Sequence, residues 1–177
     1  MATAVTTPFL TVEQYLKTPY RPDVDYVDGQ IEERNLGEFD HGTTILELAN
    51  YFRSHRQEWN IRVALDTRMQ VSATRFRVPD LSITSLAAPK EQILRTPPIL
   101  CIEVLSPEDT LRKMRRRVED YFTLGVPHIW IFDFQLRNVT ICHPDGADTL
   151  QSTGNLTIPN TPISLPIAQI FAALDEE

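Results

Sequence analysis

Ile99-Leu100-Cys101-Ile102-Glu103-Val104-Leu105, running into Ser106-Pro107-Glu108-Asp109, decides how this chain folds. A short apolar run that comes after Pro97-Pro98 and is closed by Ser106-Pro107 reads as a buried strand. The segment from Ser106 onward reads as a helix start. Ser106 is placed as N-cap and Pro107 at the first helical position, with acids in the first turn. Leu111, Met114, Val118 and Tyr121 recur at helical spacing, and Gly125 is placed to end the helix. His128-Ile129-Trp130-Ile131-Phe132-Asp133 is then a further strand. Its residues alternate Ile with Trp or Phe, so both of its faces are expected to be buried. Trp130 and Phe132 are therefore assigned to the core rather than to stacking on bases.

Downstream, Asn138 to His143 predicts another strand and Pro144-Asp145-Gly146 a turn. A weaker strand is expected over 148–157, and a closing helix from Ala168 to Leu174. Upstream, strands are expected near 61–71 and 76–84. Ile45, Leu48, Ala49 and Phe52 repeat with helical period, which predicts an amphipathic helix over 40–57 with Asp40 as its N-cap. Asp28-Gly29 between two alternating runs is a strong hairpin signal. Thr11-Val12-Glu13-Gln14 has the form of a capping box ahead of a short helix to about Lys17, where Thr18-Pro19 stops it. The order predicts one mixed α/β (α+β) domain over 1–177, core about 11–170, with helices packed on a central sheet.

Composition narrows the function. The chain has 177 residues, 42% of them hydrophobic and 23% charged, with a formal net charge of −7. That is ordinary for a globular domain with a sizeable core. Any nucleic acid must be met by a local basic patch. Cys101 and Cys142 lie in apolar strands and are expected to be buried free thiols in a reducing compartment. No basic and apolar leader opens the chain, and no apolar run approaches the ~20 residues of a membrane helix, so a cytoplasmic location without membrane attachment is expected. Zinc-ligand spacing, a phosphate-binding glycine loop and a Gly-x-Ser-x-Gly elbow are all absent from the sequence. No organic cofactor is expected.

Two carboxylates stand where charge should be scarce. Asp80 lies in Arg77-Val78-Pro79-Asp80-Leu81-Ser82-Ile83 and Glu103 in the run quoted above. A buried carboxylate is costly unless something pairs with it. Pro79 before Asp80 indicates an edge or a strand start. If the two strands are neighbours, the carboxylates meet, and Mg²⁺ or Mn²⁺ would relieve their repulsion. Mg²⁺ takes one or two protein carboxylates and keeps several waters. Such an ion supports phosphodiester cleavage. His41, opening the long helix, is an auxiliary candidate because a helix N-terminus favours anions. Glu47 is a candidate third acid, and Glu32 and Glu33 are candidates to line the cleft. Taken singly, each of these residues also has an ordinary structural reading as a turn, salt-bridge or surface group.

Pro79-Asp80, then Ile102-Glu103-Val104-Leu105-Ser106-Pro107, then Tyr121 with Gly125-Val126-Pro127-His128-Ile129-Trp130-Ile131-Phe132-Asp133, resembles the Uma-two family of restriction endonucleases. Tyr26-Val27-Asp28-Gly29-Gln30-Ile31 and Asp40-His41 extend the resemblance, which runs from about Thr11 to Ile170. It implies a restriction-endonuclease-like fold with a PD-(D/E)XK nuclease core, and metal-dependent hydrolysis of DNA phosphodiesters. By the same resemblance Asp80 and Glu103 are the metal ligands. The motif lysine two residues after the glutamate is Leu105 here. In the family, a lysine on the following helix takes its place, four residues before the tyrosine; that position is Arg117. Lys113, one turn earlier, stands where the family often has an acid. Lys113 or Arg117 is therefore the candidate to replace the lysine. Arginine cannot act as a general base, although it can stabilise charge on phosphate oxygens. Arg112, Arg115 and Arg116 on the same helix are candidates to meet DNA phosphates, a solvated face being the alternative. The sequence leaves two readings. One is a Mg²⁺-dependent DNA endonuclease, expected to act as a homodimer to cut both strands. The other is a catalytically silent nuclease-like module for binding or assembly.

Overall fold

A computed structural model describes residues 9–34 and 37–175. The helices are α1 (Val12–Lys17), α2 (Phe39–Ser54), α3 (Leu111–Leu124) and α4 (Ile167–Ala172), the last running into a 3-10 turn at Ala173–Asp175. The strands are β1 (Asp25–Val27), β2 (Gln30–Glu32), β3 (Ile61–Leu65), β4 (Met69–Ser72), β5 (Arg75–Arg77), β6 (Leu81–Ser85), β7 (Leu100–Val104), β8 (His128–Asp133), β9 (Asn138–Cys142), β10 (Thr149–Gln151), β11 (Asn155–Thr157) and β12 (Ser164–Pro166).

They form a mixed α+β architecture. A six-stranded sheet has the order β10-β9-β8-β7-β6-β3, a four-stranded sheet the order β2-β1-β5-β4, and β11 pairs with β12. Only β7 and β8 run parallel within the large sheet. A parallel pair needs a long crossover, and α3 supplies it.

Period-two alternation assigns the faces. Leu100, Ile102, Val104, Trp130 and Phe132 enter a core that also holds Leu48 and Phe52 of α2 and Ile167, Ile170 and Phe171 of α4. Cys101, Ile129 and Ile131 face the opposite way and pack with Met114 and Tyr121 of α3 and Met69 and Val71 of β4. Both faces of β8 are thus buried, as its composition predicts. A smaller aromatic cluster, Tyr15, Tyr26 and Phe76, holds α1 on the four-stranded sheet. Both cysteines are free and buried.

Local signals translate directly in several places. Thr11 and Gln14 make both bonds of the capping box. Asp28 and Gly29 form the hairpin turn with φ of 48° and 89°, as a two-residue primed turn requires. Gly125 adopts φ 100° and closes α3.

Elsewhere the structure corrects the sequence. The 76–84 run is two strands in different sheets: Val78-Pro79-Asp80 breaks it, since proline offers no amide to the ladder. The 61–71 run breaks at Asp66, whose φ is 44°. The 148–157 run also holds two strands, and β12 is an addition to the expected elements. Helix α2 begins after Glu38, not Asp40, and Glu38 makes no side-chain cap bond. Ser106 is not the cap of α3. Asp109 accepts from the Ser106 amide and hydroxyl, both at 2.9 Å, in a turn of its own, and Thr110 caps the helix by accepting from the Lys113 amide at 3.2 Å. Met114 and Tyr121 form the buried stripe with half-buried Val118, while the Leu111 side chain lies outside what the structure describes.

Candidate functional site

Asp80 and Glu103 are brought together by strand register. β6 and β7 are antiparallel with Leu81 opposite Ile102, so one step outward sets Asp80 opposite Glu103. Asp80 immediately precedes β6, as Pro79 suggested, but β6 is an inner strand between β3 and β7. Glu103 alternates with Ile102 and so leaves the sheet on the face that α3 covers. Both are almost wholly buried, at 3% and 1% exposure.

Each carboxylate already has cationic and neutral partners. Arg34, just beyond β2, donates Nη2 to Asp80 Oδ1 and Nη1 to Asp66 Oδ1, the latter at 2.6 Å. The Val104 amide donates to Asp80 Oδ2 at 2.7 Å. The Tyr121 hydroxyl donates to Glu103 Oε1. Arg117 Nη1 lies 3.6 Å from Glu103 Oε2, a looser ion pair. Arg34, His41, Asp80, Val104, Ser106, Asp109 and Arg117 line a small cleft of about 20 Å³. That is room for one water-sized occupant.

A second layer of charge fixes Arg117. Its Nε donates to Asp25 Oδ2 at 3.1 Å, and Asp25, fully buried on β1, also accepts from Arg77 at 2.9 Å and from the Val78 amide at 2.9 Å. Arg77 reaches Glu32 and Asp120, both at 2.7 Å. Arg116 also meets Glu32, at 3.0 Å. Asp25 of the hairpin sheet thus holds the Arg117 guanidinium from behind.

The electrostatics arise from burial. Desolvation pushes the Asp80 carboxyl up to about 6 against the pull of Arg34 and the Val104 amide. It pushes Glu103 up to about 7, with Arg117 opposing and Asp80 adding to the rise. The Tyr121 phenol is driven well above its ordinary range by burial and by Glu103. Burial lowers the pKa of His41, and Arg34 adds to that. His41 Nε2 is 3.1 Å from the Val104 carbonyl, so the neutral ring donates there, and it stands 3.8 Å from Asp80 Oδ2.

The other candidates lie farther out. Lys113 is exposed and has no hydrogen bond or ion pair to either carboxylate, so Arg117 alone of that pair reaches Glu103. Glu47 is half-buried on α2, and no bond joins it to the cluster. Glu33 is exposed, whereas Glu32 is held by Arg77 and Arg116. Arg112, Arg115 and Arg116 stand on the exposed side of α3. Sequence reasoning missed Arg34, Asp25, Arg77 and Asp120. Arg77 and Asp25 carried the signal used for Asp80: a charge inside an apolar strand. Arg34 carried none.

A family model named Uma2, with the description "putative restriction endonuclease", matches residues 12–174. The chain belongs to the Uma2 family. Among solved structures it is similar to one from Anabaena variabilis ATCC 29413 described as "a putative nuclease belonging to DUF820". The TM-score is 0.82 at 21% identity, covering 93% of this chain and 99% of that one, which shows a shared fold. No curated protein matches. Among the described residues, no helix is long and apolar enough to cross a membrane.

The Uma2 fold type generally implies a divalent metal, and the donor set can be tested for one. Among the described residues no group of three His, Cys, Asp or Glu side chains could hold an ion, which excludes a zinc-type cage there. Asp80, which lines the water-sized cleft, and Glu103, set opposite it by strand register, form a hard-oxygen pair of the kind that suits Mg²⁺ or Mn²⁺, which retain waters.

Proposed function

We propose that this protein is a Mg²⁺- or Mn²⁺-dependent DNA endonuclease that hydrolyses phosphodiester bonds. The observation that carries the reading is the register-opposed, buried pair Asp80 and Glu103 with the Arg117 guanidinium beside it. Asp80 and Glu103 would hold the ion, which supplies Lewis acidity and water activation when bound. The chain's own groups do the rest. Arg117 stays protonated, so it offers fixed positive charge to a phosphate oxygen and takes no proton. Asp25 is a positioning residue that aims it. Tyr121 orients Glu103 through its hydroxyl. His41, neutral and bonded to the Val104 carbonyl, is an auxiliary group at the cleft. Arg112, Arg115 and Arg116 would meet backbone phosphates and give the salt dependence such contacts bring. A homodimer would supply one site per strand.

Purified protein incubated with supercoiled plasmid and Mg²⁺ or Mn²⁺ should nick or linearise it, and Asp80→Ala should not. Equal products from the variant would remove the proposal. A specific observation favours the second reading, a catalytically silent module: each carboxylate already faces a guanidinium, and Leu105 replaces the motif lysine. Absence of cleavage with every ion tried, alongside retained DNA binding, selects that reading.

A further inference from the structure

We infer that Arg34 is a built-in counter-ion that occupies the cation's place at Asp80 and must leave before a divalent ion can bind. This rests on the reading of Asp80 and Glu103 as metal ligands. Arg34 donates to Asp80 Oδ1, an oxygen the ion would need, and its side chain is only 13% exposed. The cleft beside it holds about 20 Å³, too little for both a guanidinium on Asp80 and a hydrated ion. A guanidinium and a divalent ion on the same carboxylate would also repel each other. The geometry supplies the way out. Nη1 is held by Asp66, whose side chain is 60% exposed, so Arg34 can keep that outer partner while Nη2 leaves Asp80. Asp66 is itself fixed beside Asp80, its amide donating to the Asp80 carbonyl at 3.3 Å. Metal uptake is then an exchange of cations. A phosphodiester arriving at the cleft offers the displaced guanidinium a bidentate partner, so nucleic acid and metal each favour the other's binding.

The test is calorimetric titration of Mn²⁺ into the parent protein, Arg34→Met, Arg34→Lys and Asp80→Asn, each first shown to melt cooperatively. Arg34→Met should bind at least tenfold more tightly than the parent. Arg34→Lys keeps the charge but cannot bridge Asp66 and Asp80 at once, so it should fall between, at threefold or more. It carries the test if Arg34→Met does not fold. Asp80→Asn should abolish binding. If the Arg34 variants bind no more tightly than the parent while Asp80→Asn still abolishes binding, the exchange is overturned and the metal site stands. If Asp80→Asn binds like the parent, or no variant binds at all, the metal reading falls and the exchange with it.

Discussion

Replacing Glu103 with Gln should stabilise the protein at pH 8, and by much less at pH 5. Burial raises the Glu103 carboxyl from its ordinary 4.5 to about 7. The folded state therefore holds a proton that the unfolded state has lost across that window. The stability this contributes is fully present below about 4.5 and is gone once pH has risen through about 7. At 1.36 kcal/mol per pKa unit, ionising Glu103 in the folded protein costs on the order of 3 kcal/mol. Gln removes that ionisation and still accepts from Tyr121, while Arg117 keeps Asp25 as its partner. Its amide turns an NH₂ toward Arg117, which offsets part of the gain, so about 1–3 kcal/mol is expected. Urea denaturation monitored through buried Trp59 and Trp130, at pH 5 and pH 8, gives both differences. A variant less stable than the parent at pH 8, or a difference that does not change with pH, would refute the account of the buried carboxylate. The expected sign bears on function, because a buried carboxyl beside a cleft with a strongly raised pKa marks a candidate functional site.

The same geometry yields three further outcomes. Asp25→Asn leaves Arg77 and Arg117 short of a buried counter-charge and should lower stability by about 3–5 kcal/mol in the same urea assay. Arg117→Met should reduce plasmid cleavage by about 10²-fold or more, whereas Arg117→Lys should retain most of it; equal loss in both would show that charge at this position is not what matters. Thr110→Ala removes the α3 cap and should cost about 1 kcal/mol, while Ser106→Ala should leave helix content by circular dichroism unchanged.

Legibility in the sequence tracks the range of the interactions. The Thr11 capping box, the Asp28-Gly29 turn, the Gly125 stop and the two-faced burial of β8 depend on residues a few positions apart, and pattern alone identifies them. The meeting of Asp80 with Glu103 required one further step, the pairing of β6 with β7, which the resemblance to the Uma-two family and the paired anomalies both suggested. The hidden features depend on distant partners. Asp25 and Arg117 are 92 positions apart, and Arg34 and Asp80 are 46 apart. No local period encodes such pairs. Ser106 misleads because a serine-proline step fits a cap, yet the Asp109 carboxylate ties it into a separate turn first. The 76–84 run reads as one strand because its apolar content is continuous, although Pro79 marks the place where the chain passes from one sheet to the other.

Asp80 and Glu103 together are proposed to hold a divalent cation. Anomalous scattering from crystals of the parent protein soaked in Mn²⁺ tests this most directly. A manganese peak is expected within bonding distance of a carboxylate oxygen of each, with Arg34 withdrawn from Asp80. A manganese peak elsewhere, or none between these carboxylates at saturating Mn²⁺ with both arginines still paired to them, would contradict the proposal.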